Sequence, residues 1–295
     1  MNGVLLLNKP RGMTSHDCVM RARRLLKTKK VGHTGTLDPD VDGVLPICVG
    51  PATKLVQFLT ATTKEYVGEV TVGYATTTED ASGEIIDQRL VTQNFSRADI
   101  EGILKSMRGV QTQIPPMYSA VKVNGKKLYE YARAGIEVER PQREVTIFEL
   151  ELLGEIHQSD GLLKFKFRVC GSKGIFIRTV AVTIGEKLGF PAHMSDLKRI
   201  ASGHFKVDDC VTFEQIEAGD FKLLTISEAL ADFPTVTVDN WVEKLVKNGV
   251  KLREVQIVPS MKTEMFLIKN EADQPLAIYE WHEEREGYVS IRGLW

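Results

Sequence analysis

Gly32-His33-Thr34-Gly35-Thr36-Leu37-Asp38-Pro39-Asp40-Val41-Asp42-Gly43 runs directly into Val44-Leu45-Pro46-Ile47-Cys48-Val49. The first stretch holds three acids, a histidine and several turn formers. The second is apolar almost throughout, as in a strand buried on both faces. A polar loop pinned against a buried strand is a place where catalytic side chains concentrate, because the scaffold holds them still. Outward from this pair, residues 4–7 read as a short buried strand ended by Lys9-Pro10-Arg11-Gly12. Thr14 is placed to cap a helix, with Asp17 three residues on in the capping-box position. Val19, Ala22, Leu25 and Leu26 form the apolar face of that helix.

Further along, 53–59 predicts a helix and 66–73 alternates like a half-buried strand. Residues 96–108 predict a helix capped by Ser96, stapled by Phe95 and Ile100 and stopped by Gly109. The segment 113–143 mixes two prolines in sequence, glycines, tyrosines and six Lys/Arg. It reads as an ordered loop with one short helix at 128–134. Strands are expected at 146–153 and 163–169, and a helix at 178–188 ended by Gly189. A helix near 226–231 stops at Phe233-Pro234, taken as the boundary between a domain of residues 1–233 and a module of 234–295. That module should hold a short helix at 240–247 and β-like runs at 265–268, 276–281 and 288–291.

The 295 residues carry a formal net charge of −1 and are 43% hydrophobic, which allows a sizeable core and leaves overall charge uninformative about partners. The distribution says more. Residues 1–30 contain eight Lys/Arg against the single acid Asp17, which fits either a docked polyanion or a solvated helix face. Four dispersed cysteines, Cys18, Cys48, Cys170 and Cys210, read as reduced buried thiols of a cytoplasmic protein. The opening residues form a strand rather than a leader, and no apolar run approaches the roughly 20 residues of a membrane span.

Asp38, Asp40, Asp42 and Gly43 also match the first half of a calcium-binding EF-hand loop. The twelfth position of that loop calls for a bidentate Glu and here is Val49, with Pro46 where an exit helix would begin. Phosphate-loop and serine-elbow patterns are absent, and His33 has no second histidine at ligand spacing. An aspartate in a turn remains, available as nucleophile or base, or simply shaping the turn.

Residues 32–39 followed by Gly43-Val44-Leu45-Pro46 resemble the signature of the bacterial tRNA pseudouridine synthase B (TruB) family. Leu7-Asn8-Lys9-Pro10-Arg11-Gly12-Met13-Thr14-Ser15, Lys64-Glu65-Tyr66, the run from Gln113 through Ile114-Pro115-Pro116-Met117-Tyr118-Ser119-Ala120-Val121-Lys122 to Gly135, and Ser172-Lys173-Gly174-Ile175-Phe176-Ile177-Arg178-Thr179 resemble its other motifs, in the family's order over residues 1 to about 205. The tail resembles a PUA-like module more loosely. The resemblance implies an α/β fold (α+β, a mixed, mainly antiparallel central sheet with flanking helices) and a small β-rich C-terminal domain. It implies isomerisation of the T-loop uridine of tRNA, position 55, without cofactor or metal, by a monomer that needs no protein or membrane partner.

By the same resemblance Asp38 is the nucleophile, attacking either C6 of the base or C1′ of the ribose. Arg178 is its charge partner, with fork-shaped donors suited to a carboxylate. Tyr66 stacks on the uracil and is placed for proton transfer, and His33 occupies space vacated by the extruded base. Expected RNA contacts are Arg21 and Arg24 on the basic helix, Lys9, Lys64, Tyr118, Lys122, Lys126, Arg133, Arg143 and Lys173. Asp40 and Asp42 are left with solvent-facing turn roles.

Overall fold

The computed structural model describes residues 1–257, 260–262 and 264–294. Strand β1 (Gly3–Lys9), helix α1 (Ser15–Leu25), and strands β2 (Val31–His33) and β3 (Asp42–Val49) form its first unit. β1 lies antiparallel to β3 from Gly3 against Val49 to Lys9 against Gly43. Both Thr14–Asp17 capping bonds of α1 are made, worth about 1 kcal/mol for the cap. The helix expected at 53–59 is instead a 3₁₀ turn, Gly50–Leu55, followed by the short helix α2 (Val56–Thr60). Gly50 at φ +65° and Pro51 start a tight turn that breaks a continuous helix.

Next come β4 (Lys64–Val72), the hairpin β5 (Tyr74–Thr76) and β6 (Ile85–Gln88), α3 (Arg97–Ser106) and β7 (Gly109–Gln113). Ser96 caps α3 through Asp99. The 113–143 segment carries a small hairpin, β8 (Lys122–Val123) with β9 (Lys126–Lys127), then α4 (Leu128–Ala134) closed by left-handed Gly135. Strand β10 (Arg143–Ser159) is twice the expected length, because its first residues pair with β7 and the rest with β11 (Leu162–Gly171). Its outer part alternates weakly and so carries little signal. Helix α5 (Ile177–Leu188) precedes β12 (Ala192–Ser202), a strand that the sequence reading omits, and β13 (Phe205–Lys206).

These strands make a nine-stranded sheet of order β1-β3-β12-β4-β11-β10-β7, with β13 on β12 and β2 on β3. Every pairing is antiparallel except β3 with β12. Helices α3 and α5 cover Val70, Phe165 and Phe167, while α1 and α6 (Phe213–Ala218) cover Leu5, Leu7 and Ile47. After α7 (Ile226–Ala229), a second sheet is built from β14 (Thr235–Val238), β15 (Phe266–Asn270), β16 (Pro275–His282) and β17 (Gly287–Gly293), with α8 (Asn240–Lys247) beside it. Leu267, Ile278 and Leu294 of this region share a core with Val4, Val44 and Phe205. The fold is thus a mixed α/β arrangement around a mostly antiparallel sheet with a β-rich C-terminal domain.

Candidate active site

The loop between β2 and β3 is held by a turn of its own and by side chains of β1 and α1. The Asp38 carbonyl accepts from the Val41 amide at 3.1 Å, closing a turn with Pro39 at its second position. The Leu37 amide donates to Ser15 Oγ at 2.8 Å, at the start of α1. Lys9 Nζ donates to the carbonyls of Pro10, Pro39 and Val41 at 2.7–3.0 Å. Gly43 adopts φ +114°, and a Cβ there would lie 2.1 Å from the Arg199 carbonyl oxygen. Only glycine fits where β3 leaves the loop so close to β12.

Asp38 stands on this frame at a cavity of about 390 Å³, whose walls include Tyr66, Val121, Ile175, Leu197, Lys64 and Arg178. Arg178 Nε lies 3.2 Å from Asp38 Oδ2; the carboxylate side chain is 40% exposed and the arginine 6%. The contact uses one nitrogen, not the expected fork. The others donate to the Thr78 carbonyl at 3.0 Å and the Tyr118 carbonyl at 2.8 Å, and Nη1 lies 3.7 Å from Asp80 Oδ2. The start of α5 has no side-chain cap of its own. Gln113 serves it from β7, with Oε1 accepting from the Phe176 amide and Nε2 donating to the Phe176 carbonyl.

Burial pushes the Asp38 carboxyl above the ordinary carboxylate range; Arg178 pulls it back and Asp80 pushes it up. Burial also raises Glu79, whose Oε2 accepts from Thr179 Oγ1 at 3.1 Å. Lys64 is pushed down to about 7 by burial and then by Arg199.

Asp38, Tyr66, Arg178, Lys64, Lys122, Arg143 and Lys173 all meet at this one cavity. The Lys9 side chain, expected to touch RNA, is fully buried, with its ammonium spent on loop carbonyls. Lys64 lines the cavity but is 6% exposed, its Nζ donating to Thr62 and to the last carbonyls of α2. Arg21 pairs with Glu217 at 2.8 Å and lies over the Phe213 ring. Tyr118 contributes its carbonyl to Arg178, leaving its ring 38% exposed. Arg24, Lys126 and Arg133 are exposed. His33 is half-buried on β2, opposite Ile47, and is not a wall of the cavity.

Asp42 is not a solvent-facing turn acid. It accepts from Arg11 Nε at 3.0 Å and pairs with Lys198 at 3.5 Å, tying the loop exit to the neighbouring strand. The EF-hand alternative fails on geometry, since its second half is strand β3. No cluster of three His, Cys, Asp or Glu suited to a metal occurs among the described residues. Sequence reading missed Glu79, Asp80, Gln113 and Arg199. The polar run Thr76-Thr77-Thr78-Glu79-Asp80 was the available signal for the first two.

A half-buried carboxylate beside an arginine, under an aromatic wall and a rim of cations, on a mainly antiparallel mixed sheet, defines a pseudouridine synthase type of architecture. The chain belongs to the TruB family of pseudouridylate synthases. The pattern of the TruB family pseudouridylate synthase N-terminal domain matches residues 23–177, and that of the tRNA pseudouridylate synthase B C-terminal domain matches 178–227. The chain is 54% identical to tRNA pseudouridine synthase B of Bacillus cytotoxicus, over 98% of this chain and 95% of that one. It is 56% identical to the protein of that name in Geobacillus thermodenitrificans, over 98% of each, and 60% identical to that of Geobacillus kaustophilus, over 86% and 91%. The crystal structure of a Cbf5-Nop10-Gar1 complex superposes with a TM-score of 0.75 at 25% identity, covering 99% of this chain and 85% of that one.

Proposed function

We propose that this enzyme converts the T-loop uridine of tRNA, conventionally position 55, to pseudouridine, with Asp38 as nucleophile on an extruded base. The observation that carries this reading is the Asp38–Arg178 contact at the cavity bordered by Tyr66. The names of the full-length relatives supply the tRNA and the reaction. A carboxylate that forms a covalent adduct divides one hard step into two easier ones. The N1–C1′ bond breaks, the base turns, a C5–C1′ bond forms, C5 loses its proton and N1 gains one; atoms balance without any co-reactant.

The target base must leave its stack before Asp38 can reach it, which costs a few kcal/mol. Tyr66 offers the extruded ring a stacking face, and exposed Lys122, Arg143 and Lys173 at the cavity, with Arg24, Lys126 and Arg133 farther out, meet phosphates. Asp38, Tyr66 and Arg178 all belong to one chain, which fits a monomer acting without a protein partner. The segment 234–295 serves as a second RNA-docking module. Carbodiimide-adduct primer extension on a T-arm RNA tests the reading: a stop at the target uridine with the wild type and none with Asp38→Asn. A stop elsewhere would displace the site, and normal product from Asp38→Asn would displace the nucleophile.

A further inference from the structure

Arg199, on β12, is 1% exposed and among the largest fully buried side chains of the protein. Its Nε donates to the Val44 carbonyl at 2.7 Å and Nη2 to the Gly35 carbonyl at 3.3 Å, so it grips both ends of the Asp38 loop. Both acceptors are neutral. Among the described residues no carboxylate pairs with this guanidinium and its Nη1 donates to no acceptor. A buried cation without a counterion costs several kcal/mol, and the cost persists unless something compensates it. Here the side chain lines the catalytic cavity beside Lys64. Gly35 keeps that corner open, since a Cβ there would lie 3.6 Å from Arg199 Nη1 and 3.8 Å from Lys64 Cε.

The two arginines of the cavity serve different charges. Arg178 touches Asp38 and offsets its negative charge. Lys64 and His33 are depressed first by burial and then by the charge of Arg199. The Arg199 corner of the cavity is therefore positive, while the carboxylate of the same cavity, Asp38, is engaged by Arg178.

We propose that Arg199 stabilises the negative charge that develops on the uracil ring during the reaction. Rupture of N1–C1′ leaves the bonding pair on uracil, spread over N1, O2 and O4. Attack of Asp38 on C6 instead places a pair over C5, C4 and O4. Either route makes one negative charge on the ring before any proton moves, and either calls for a fixed cation that does not reorganise. Two hydrogen bonds to carbonyls hold Arg199 in that state.

The inference rests on the pseudouridine reading, which wild-type turnover and Asp38→Asn inactivity test with Arg199 untouched. Arg199→Gln keeps a donor toward the loop carbonyls and removes the charge; Arg199→Lys keeps the charge. Single-turnover cleavage of the N1–C1′ bond is measured for both on T-arm RNA carrying uridine or 5-fluorouridine at the target, alongside thermal midpoint and RNA affinity. Fluorine withdraws electrons and makes the ring anion easier to form. The expected result is a loss of about a hundred-fold for Arg199→Gln on uridine that shrinks to about tenfold or less on 5-fluorouridine, with Arg199→Lys more active. Equal losses on both targets would make Arg199 a brace for the loop only and overturn the proposal, as would a wild-type rate from Arg199→Gln. If Arg199→Gln does not fold, the same ratio read on Arg199→Lys decides, because the displaced charge should still weigh more on uridine.

Discussion

Asp38 is held between burial, which favours its neutral form, and Arg178, which favours the carboxylate, with burial prevailing. Its folded pKa therefore lies above its unfolded one. Ionisation then weakens the fold as pH rises through that interval, and a neutral isostere loses nothing by it. Asp38→Asn is expected to keep or slightly raise the thermal midpoint at pH 7.5 while lowering the single-turnover rate by about 10³-fold or more. A midpoint many degrees lower would point to a structural aspartate. The same balance predicts the acid limb of the rate profile above the usual carboxylate range. Arg178→Met removes the group that lowers Asp38, so the limb moves to higher pH; a limb that stays in place would separate Arg178 from the ionisation of Asp38. Because Arg178 makes one nitrogen contact with Asp38 and uses the others on Thr78 and Tyr118, Arg178→Lys loses the anchoring as well as the contact.

At the scale of elements, the Asp38 loop is rigid because β1, α1 and β12 each contribute a side chain to it: Lys9, Ser15 and Arg199. The buried ammonium of Lys9 explains a lysine in a run that otherwise reads as a strand end. Lys9→Met leaves carbonyls of Pro39 and Val41 without their donor. It should lower stability by about 2–3 kcal/mol in denaturant titration. Its tRNA affinity should keep the wild-type salt slope, whereas a phosphate contact would lower that slope by a little under one unit. The elements that sequence reading found best, β3, α1 and α3, carry strong local signals: continuous apolar runs or paired caps. It missed β12 because two of its buried positions are His193 and Arg199, which break the apolar alternation that marks a strand. The same polar substitution hid Arg199 as a site residue.

At the scale of the whole molecule, Lys122 and Arg143 from the 113–143 insert and Lys173 from the turn before α5 converge on one rim. Replacing all three by Ala should flatten the dependence of log K on log salt by about two to three units, with an Asp38→Asn background used to isolate binding. An unchanged slope would move the phosphate path elsewhere. The nine-stranded sheet makes this convergence, and it also places Arg178 against Asp38 across 140 positions of sequence. Sequence by itself determined the local chemistry: the turn that presents Asp38, the buried strand behind it, the helix caps, and the motif set that marks the family. Tertiary structure alone decided the partners: one arginine nitrogen on Asp38 instead of a fork, Lys9 turned inward, His33 off the cavity wall, Asp42 paired with Arg11, and Arg199 facing the cavity. The reason is physical. Periodicity and capping depend on neighbours a few residues away and are written in the chain, whereas the register of β12 between β3 and β4 fixes which distant side chains share a cavity, and no local pattern encodes that register.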